Sequence, residues 1–298
     1  MTPALEIIQI LVSGLLFGGV LGLLSTGLAV IFGVMKVVNF AQGDLVMLGM
    51  YGVFFAITVW SVPSLLAILV LLPIFAIVGV IIHVLLLSKL TGAGARAKHG
   101  HDIQLLATLG LSLILQNGAL MLFGPDPRSL PIDDTAAAWR VGELVLNQAR
   151  TLGFIVAVVA TAALIWFLNH TVQGRRLRAA SDDPEAAGYV GIDVTRAHRT
   201  AMAIGIGLAG VGGGVLGTYY AIQPFVAWDW IVLMFAAVVL GGLGSISGAL
   251  VGSLIIGLVQ AFSQSFFPLQ LQYVGVFAVF LLALYLRPQG LFGKAVRI

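Results

Sequence analysis

The sequence predicts an all-α fold: a polytopic integral membrane helical bundle of about eight complete spans plus broken or re-entrant segments. Three observations carry this. Of 298 residues 60% are hydrophobic and only 9% charged, where a soluble domain carries about 25% charged residues. Apolar runs of about 20 residues recur along the whole length, which makes 1–298 a single transmembrane domain. The short alternating segments of a membrane β-barrel are absent. Cysteine is missing altogether, so disulfides and thiolate metal sites are excluded. No basic leader or small-residue cleavage site precedes the first apolar run, which is read as a retained span rather than a signal peptide. The pI of about 9.4 is no nucleic-acid signal, because the basic residues are parcelled out among loops.

The first span runs from about Ile7 to Val34, with Gly14, Gly18 and Gly22 at every fourth residue, a spacing that lets helices approach closely in lipid. Lys36, Asn39, Gln42 and Asp44 interrupt the apolar pattern, which resumes from Leu45 to about Trp60 and turns at Ser61-Val62-Pro63. Further spans cover about Ser64–Leu87 and Ile103–Phe123, separated by a polar loop with Lys89, Arg96 and Lys98. A polar segment at 124–150 precedes the span Thr151–Asn169, and a charged loop at 170–200 precedes the Gly-rich span Ala201–Tyr220. After the loop Ala221–Asp229, the tract Trp230–Phe262 is broken by Gly241-Gly242-Leu243-Gly244-Ser245-Ile246-Ser247-Gly248, and the last span is about Leu269–Leu286.

Lysine and arginine set the orientation. With the loop at 170–200 in the cytoplasm, Lys36, Lys89, Arg96, Lys98, Arg175, Arg176, Arg178, Arg196, Arg199, Arg287, Lys294 and Arg297 fall inside, and Arg128, Arg140 and Arg150 outside. This bias places the N-terminus outside and the C-terminus in the cytoplasm. It also requires the tract Trp230–Phe262 to reverse at its Gly-Ser break.

The most polar stretch is 174–191. Its charges each cost about 2.5–3.5 kcal/mol at mid-bilayer, so it lies outside the hydrocarbon. A short helix is signposted within it: Asp183 caps, Pro184 suits the first helical position, and Glu185 meets the positive end of the dipole. Ala186, Tyr189 and Val190 form a small apolar stripe, and Gly188 and Gly191 keep the helix short. With Ala187 beside Ala186 on a close-approach face, and Arg175, Arg176 and Arg178 ahead of it, this is a docking knob. A solvated connector that merely fixes orientation is the alternative.

Two interrupted tracts, one in each half, point to a permeation path or gate, since broken helices are tolerated at membrane depth where they line a cavity. The first holds Asn39, Gln42 and Asp44; the second holds Gly241, Gly242, Gly244, Ser245 and Gly248. An ordinary turn is the alternative for the first, and a glycine zipper for the second. Gln116 and Asn117 face the bundle interior in this reading, and His83 stands alone in an apolar span. No acid–base relay appears, which counts against an ion-driven carrier. Gly92-Ala93-Gly94 lacks the full phosphate-loop pattern. His99 and His101 have no third metal ligand at suitable spacing. No nucleophile–base arrangement supports an enzyme.

The segment Gly27 to Gly49, the loop Gly174-Arg175-Arg176-Leu177-Arg178-Ala179, the run Gly241 to Gly248 and the ending Arg287-Pro288-Gln289-Gly290-Leu291-Phe292-Gly293 resemble branched-chain amino acid ABC transporter permeases of the LivH type. Glu185-Ala186-Ala187-x-x-x-Gly191 has the spacing of the EAA loop of ABC importers, although its later Ile and Leu-Pro positions are not clearly present. Gln42 stands where that family commonly has histidine, and Asp44 where it frequently has glutamate. The resemblance implies a bacterial inner-membrane permease that pairs with a LivM-type second permease. Two ATP-binding subunits, which use ATP and Mg, and a periplasmic substrate-binding protein would complete the assembly. The chain itself would bind no cofactor and no nucleic acid, and membrane lipid would surround it. Related permeases carry urea, short amides or aromatic acids, and an ion-coupled secondary transporter is the alternative from outside the class.

Overall fold

A glycine-rich helix forms the axis of the bundle in the computed structural model, which describes residues 3–88, 100–130, 138–141, 143–268, 271–287 and 289–293. In chain order the helices are α1 (Pro3–Met35), α2 (Gln42–Thr58), α3 (Ser64–Ile82, continued by a π-helical turn His83–Leu87), α4 (Gly100–Phe123), α5 (Gln148–His170), α6 (Val172–Asp182), α7 (Pro184–Tyr189), α8 (Val194–Gly217), α9 (Val226–Gly241), α10 (Ile246–Phe266) and α11 (Val274–Leu286). Between α4 and α5 lies a hairpin of two antiparallel strands, β1 (Ala138–Val141) and β2 (Leu144–Asn147), in register Trp139 to Leu146. Six of the described helices are long and apolar enough to cross a membrane, and α2, α9 and α11 are shorter apolar helices.

Helix α8 is the most enclosed span because its glycines face three ways. A Cβ at Gly205 would meet Ile31 and the Gly27 carbonyl of α1. One at Gly213 would meet the Val46 carbonyl of α2, and one at Gly214 would lie 2.7 Å from Leu71 of α3. Each missing side chain lets a neighbouring backbone approach, and in lipid that packing replaces the hydrophobic drive. The spacing of Gly14, Gly18 and Gly22 performs the same task on α1. A Cβ at Gly18 would lie 3.0 Å from Leu254 Cα, and Gly257 of α10 packs back onto Gly18.

The tract Trp230–Phe262 does reverse. Gly242 and Gly244 take φ of 109° and 82°, a region open to glycine. Ser245 then caps α10 by accepting from Gly248 N at 3.1 Å. The pairs Gly241–Gly248 and Ala237–Gly252 touch across the turn, so α9 and α10 form an antiparallel hairpin. Gly248 and Gly252 therefore face α9, while Gly244 faces Gly33 of α1.

The polar segment after α4 is tied down at the other end of the bundle. Arg128 N donates to Ile222 O at 2.9 Å and Ile222 N to Arg128 O at 2.7 Å. The Gln9 side chain brackets the backbone of Val145, with Nε2 donating to its carbonyl at 2.8 Å. The hairpin itself is an addition to the all-helical expectation. The loop expected at Ala221–Asp229 is shorter than the sequence suggests, since α9 begins at Val226. Lys89, Arg96, Lys98, His99, Asp133, Asp134, Lys294 and Arg297, with the side chains of His101 and Arg140, lie outside the described residues.

Candidate functional site

At one end of the bundle the stretch 172–191 folds as two helices rather than one. Thr171 opens α6 by accepting from Gly174 N at 3.0 Å, a serine/threonine cap of the usual kind. Leu177 and Ala180 are buried on its inner side, and Ser181 Oγ donates to Gly33 O at 2.8 Å. Arg175, Arg176 and Arg178 point outward, and Arg178 Nη1 donates to Asn169 Oδ1 at 3.1 Å. The sequence reading missed this helix, although its cap and its spacing of Gly174, Leu177 and Ala180 every third residue were available as signals.

Helix α7 follows as its local chemistry requires. The Asp183 carboxylate accepts from the backbone N–H of Glu185 and of Ala186, both at 3.0 Å. Gly191 ends the helix at φ 78°, and Ile192 N donates to Ala187 O at 3.0 Å, which satisfies the freed carbonyl. Ala187 is the anchor, buried, while Pro184, Glu185, Ala186 and Gly188 are exposed. Tyr189 is 88% exposed and Val190 75%, an apolar pair that no other described residue covers.

The break between α1 and α2 is buried rather than a solvated turn. Asn39, Gln42 and Asp44 are each at most 2% exposed. Asn39 Nδ2 donates to Gln42 Oε1 at 3.1 Å, and Gln42 Nε2 donates to Gly205 O at 3.0 Å. Asp44 sits in the first turn of α2, where the helix dipole favours negative charge. Ser112 of α4 lies beside its carboxyl group, and Asp44 Oδ1 has no partner among the described residues.

Ser112 belongs to a stripe the sequence reading did not identify. Gln104, Thr108, Ser112 and Gln116 recur every fourth residue along α4 and are all buried, whereas Leu106, Leu113, Ile114, Met121 and Leu122 on its other faces are exposed. Spacing by four keeps side chains on one face of a helix, and α4 turns that face toward α2 and the π-helical turn. Thr108 Oγ1 donates to Val38 O at 3.3 Å. Gln104 Oε1, Gln116 Nε2 and the Tyr51 hydroxyl are buried without partners among the described residues. At the far end the seam is closed by rings: Tyr51 stacks on Phe123 at 4.2 Å, and Phe55 lies 5.3 Å from it. The Arg128 guanidinium sits 5.8 Å above Phe54 and 5.9 Å above Phe55.

Asn117 does not share the interior position expected of it. It is exposed, and its Nδ2 donates back to Leu113 O at 2.7 Å, because the step of one residue from Gln116 turns it about 100° around the helix. His83 is not alone either. It is buried at the start of the π-helical turn, its ring 6.4 Å from that of His198 on α8. The glycines of the second tract sit at the same end as α6 and α7. A Cβ at Gly33 would lie 3.2 Å from Gly244 O, and the terminal segment closes over the turn, with Leu291 N donating to Leu240 O and Phe292 N to Gly241 O, both at 2.9 Å.

Residues 10–286 match the family described as "Branched-chain amino acid transport system / permease component". The chain is 30% identical over 295 residues to the high-affinity branched-chain amino acid transport system permease protein BraD of Pseudomonas aeruginosa, covering 96% of each. It is 28% identical over 298 residues to LivH of Escherichia coli K12, a permease protein of the same description, covering 97% of this chain and 96% of the other. Among solved structures, PsaBC from Streptococcus pneumoniae in complex with Fab aligns at a TM-score of 0.50 and 14% identity over 96% of this chain and 97% of the other, a likeness of fold. With its helices able to cross a membrane several times and its match running nearly end to end, this chain is a multi-pass membrane protein that belongs to the branched-chain amino acid transport system permease family.

Proposed function

We propose that this chain is one permease of an ATP-driven, binding-protein-dependent importer that carries leucine, isoleucine and valine across the bacterial inner membrane. The observation that carries the reading is the near full-length likeness to BraD and LivH, both permease proteins of high-affinity branched-chain amino acid transport systems. A LivM-type permease pairs with it, two ATPase subunits bind the ATP and Mg, and a periplasmic protein delivers the solute. The N-terminus lies outside and the C-terminus in the cytoplasm, with α6 and α7 on the cytoplasmic side.

In this reading α7 is the handle. It is short and rigidly capped, and its only buried residue, Ala187, seats it on the bundle. Its exposed Ala186, Tyr189 and Val190 are free to enter a groove of an ATPase. Arg175, Arg176 and Arg178 flank that surface. The transporter switches between outward- and inward-facing states because the ATPase dimer binds one of them better, which is the only way a ligand moves such an equilibrium. The binding protein docks on the segment 124–150 and the loop before α9.

The test is reconstitution of the five-component transporter in liposomes. Leucine uptake is expected only with ATP and loaded binding protein, and Glu185→Lys or Ala186→Trp is expected to abolish the stimulation of ATPase while leaving membrane insertion intact. Uptake by this chain alone overturns the reading; unchanged stimulation in both variants removes the handle from it. The ligand retained by the binding protein separates branched-chain amino acids from urea, short amides and aromatic acids.

A further inference from the structure

We infer that the cleft between α3 and α5 holds a phospholipid, its phosphate at the end where both helices begin and an acyl chain lying along α8. The inference does not depend on which solute the transporter carries. Helices α3 and α5 both pack on α8, yet a gap separates them, and two cavities run through it. The first, of about 320 Å³, lies at the helix starts and is bordered by Ser64, Gln148 and Thr218. The second, of about 600 Å³, continues from it, sharing Leu65 and Val156, and every side chain that lines it is apolar. Its walls are two stripes of one spacing. Leu65, Leu69, Leu72 and Ala76 of α3 stand at i, i+4, i+7 and i+11, and so do Val156, Ala160, Ala163 and Phe167 of α5, each set one face of a helix. Stripes of this kind seal a helix pair when they meet. Here the alanines leave them apart, and Leu69 and Leu72 stay 51% and 43% exposed.

What fills this cleft is polar at one end and apolar along the rest, and the membrane supplies a molecule of that form. The depth agrees. Leu65 to Ala76 spans about 16 Å at 1.5 Å per residue, close to one leaflet's share of a hydrocarbon core about 30 Å thick. A transmembrane helix of a partner would need a groove along the whole span. The mouth suits a phosphate. Helices α3 and α5, of 19 and 23 residues, begin there, so two positive dipole ends face the one C-terminus of α8. No side chain caps the first N–H groups of α3, and Ser64 and Gln148 add a hydroxyl and an amide that can donate. Neither cavity has an acidic residue among the described residues that line it, so nothing there repels an anion. None of them is lysine or arginine either, so a zwitterionic lipid such as phosphatidylethanolamine satisfies the mouth without added positive charge.

Native mass spectrometry of the complete transporter in mild detergent tests the site, with phosphatidylethanolamine as the probe. A molecule of it is expected to stay on each copy of this chain. Ala160→Trp, which fills the second cavity, is expected to lose it, while Ala162→Trp on another face of α5 keeps it. Equal retention in the two variants overturns the site. Release of the second permease by Ala160→Trp, with the lipid retained, would mean that the cleft seats a partner helix, and the lipid reading fails. The native chain supplies a check that needs no variant to fold. Phosphatidylethanolamine with a diazirine midway along its acyl chain is expected to attach to Leu69, Leu72 and Ala163 roughly tenfold more than to Val70 and Ile74, which α3 exposes outside the cleft. Even labelling overturns the cleft as a holding site. For the phosphate, exchange against deuterated lipid is expected to be about threefold faster in Gln148→Glu, the scale of one charge at a helix N-terminus, and slower in Gln148→Lys. Identical exchange in both overturns the position given to the phosphate.

Discussion

The side-chain amide of Gln42 donates to the carbonyl of Gly205 at 3.0 Å, joining the start of α2 to the first half of α8 across 163 residues of sequence. Gly205 exposes that carbonyl because it has no side chain of its own beside Ile31. Gln42 in turn accepts from Asn39, so one amide ties the α1–α2 break to α8. Gln42→Leu is expected to strand one buried donor, Asn39 Nδ2, at a cost of about 1–3 kcal/mol, and to remove the second bond from a Gly205 carbonyl that keeps its place in the helix ladder. Gln42→His keeps one ring N–H for Gly205 and is expected to recover a good part of the loss. Thermal unfolding of the purified chain in detergent checks the order: native highest, histidine next, leucine lowest.

Glycines on the same bundle are not equivalent. A Cβ at Gly213 of α8 would collide with the Val46 carbonyl, which cannot move without displacing α2, whereas a Cβ at Gly118 of α4 meets nothing within 4 Å. Gly213→Ala is therefore expected to destabilise by about 1–3 kcal/mol through overpacking. Gly118→Ala is expected to be neutral or to stabilise by up to about 1 kcal/mol through helix propensity. The unfolding midpoints of the two variants, measured side by side, should move in different directions or differ clearly in size.

What could be read beforehand follows from how local the physics is. Asp183, Pro184, Glu185 and Gly191 declare a short helix because a cap, a fixed φ and a left-handed stop act within a few residues. Gly14 and Gly18 declare a close helix pair for the same reason, though not that α10 would be the partner. The stripe Gln104-Thr108-Ser112-Gln116 was visible as spacing but silent as burial. Which way α4 turns is decided by Asp44 and Tyr51 on another helix, and so is the exposure of Asn117. The contact of His83 with His198 and the clasp of Leu291 on Leu240 depend likewise on elements more than 50 residues apart.

The terminal clasp is expected to depend on Gly290. Its φ of 77° lies in the left-handed region, and a Cβ there would come within 2.5 Å of Gly242 Cα. Gly290→Val is expected to release Leu291 and Phe292 from the carbonyls that end α9. Chymotrypsin should then cut at Phe292 markedly faster than in the native chain, while cleavage elsewhere stays unchanged. Equal rates would show that the segment is held by other contacts.

The Asp183 cap supplies acceptors for two of the four N–H groups that an α-helix leaves open at its start. In a helix of 6 residues there is little else to hold the first turn, since Ala187 alone is buried. Asp183→Ala is expected to cost about 1 kcal/mol locally, which corresponds to roughly fivefold faster amide exchange at Glu185 and Ala186. Asp183→Asn or Asp183→Ser keeps an acceptor oxygen and should restore most of the protection. The exchange of α8 amides near Gly213 should not change, because they are enclosed by α2 and α3 and do not share the cap. If α7 must be preformed to transmit force, the alanine variant also loses ATPase stimulation while its asparagine counterpart keeps it. That pairing of exchange with stimulation separates a handle that has to be rigid from a loop that merely has to be present.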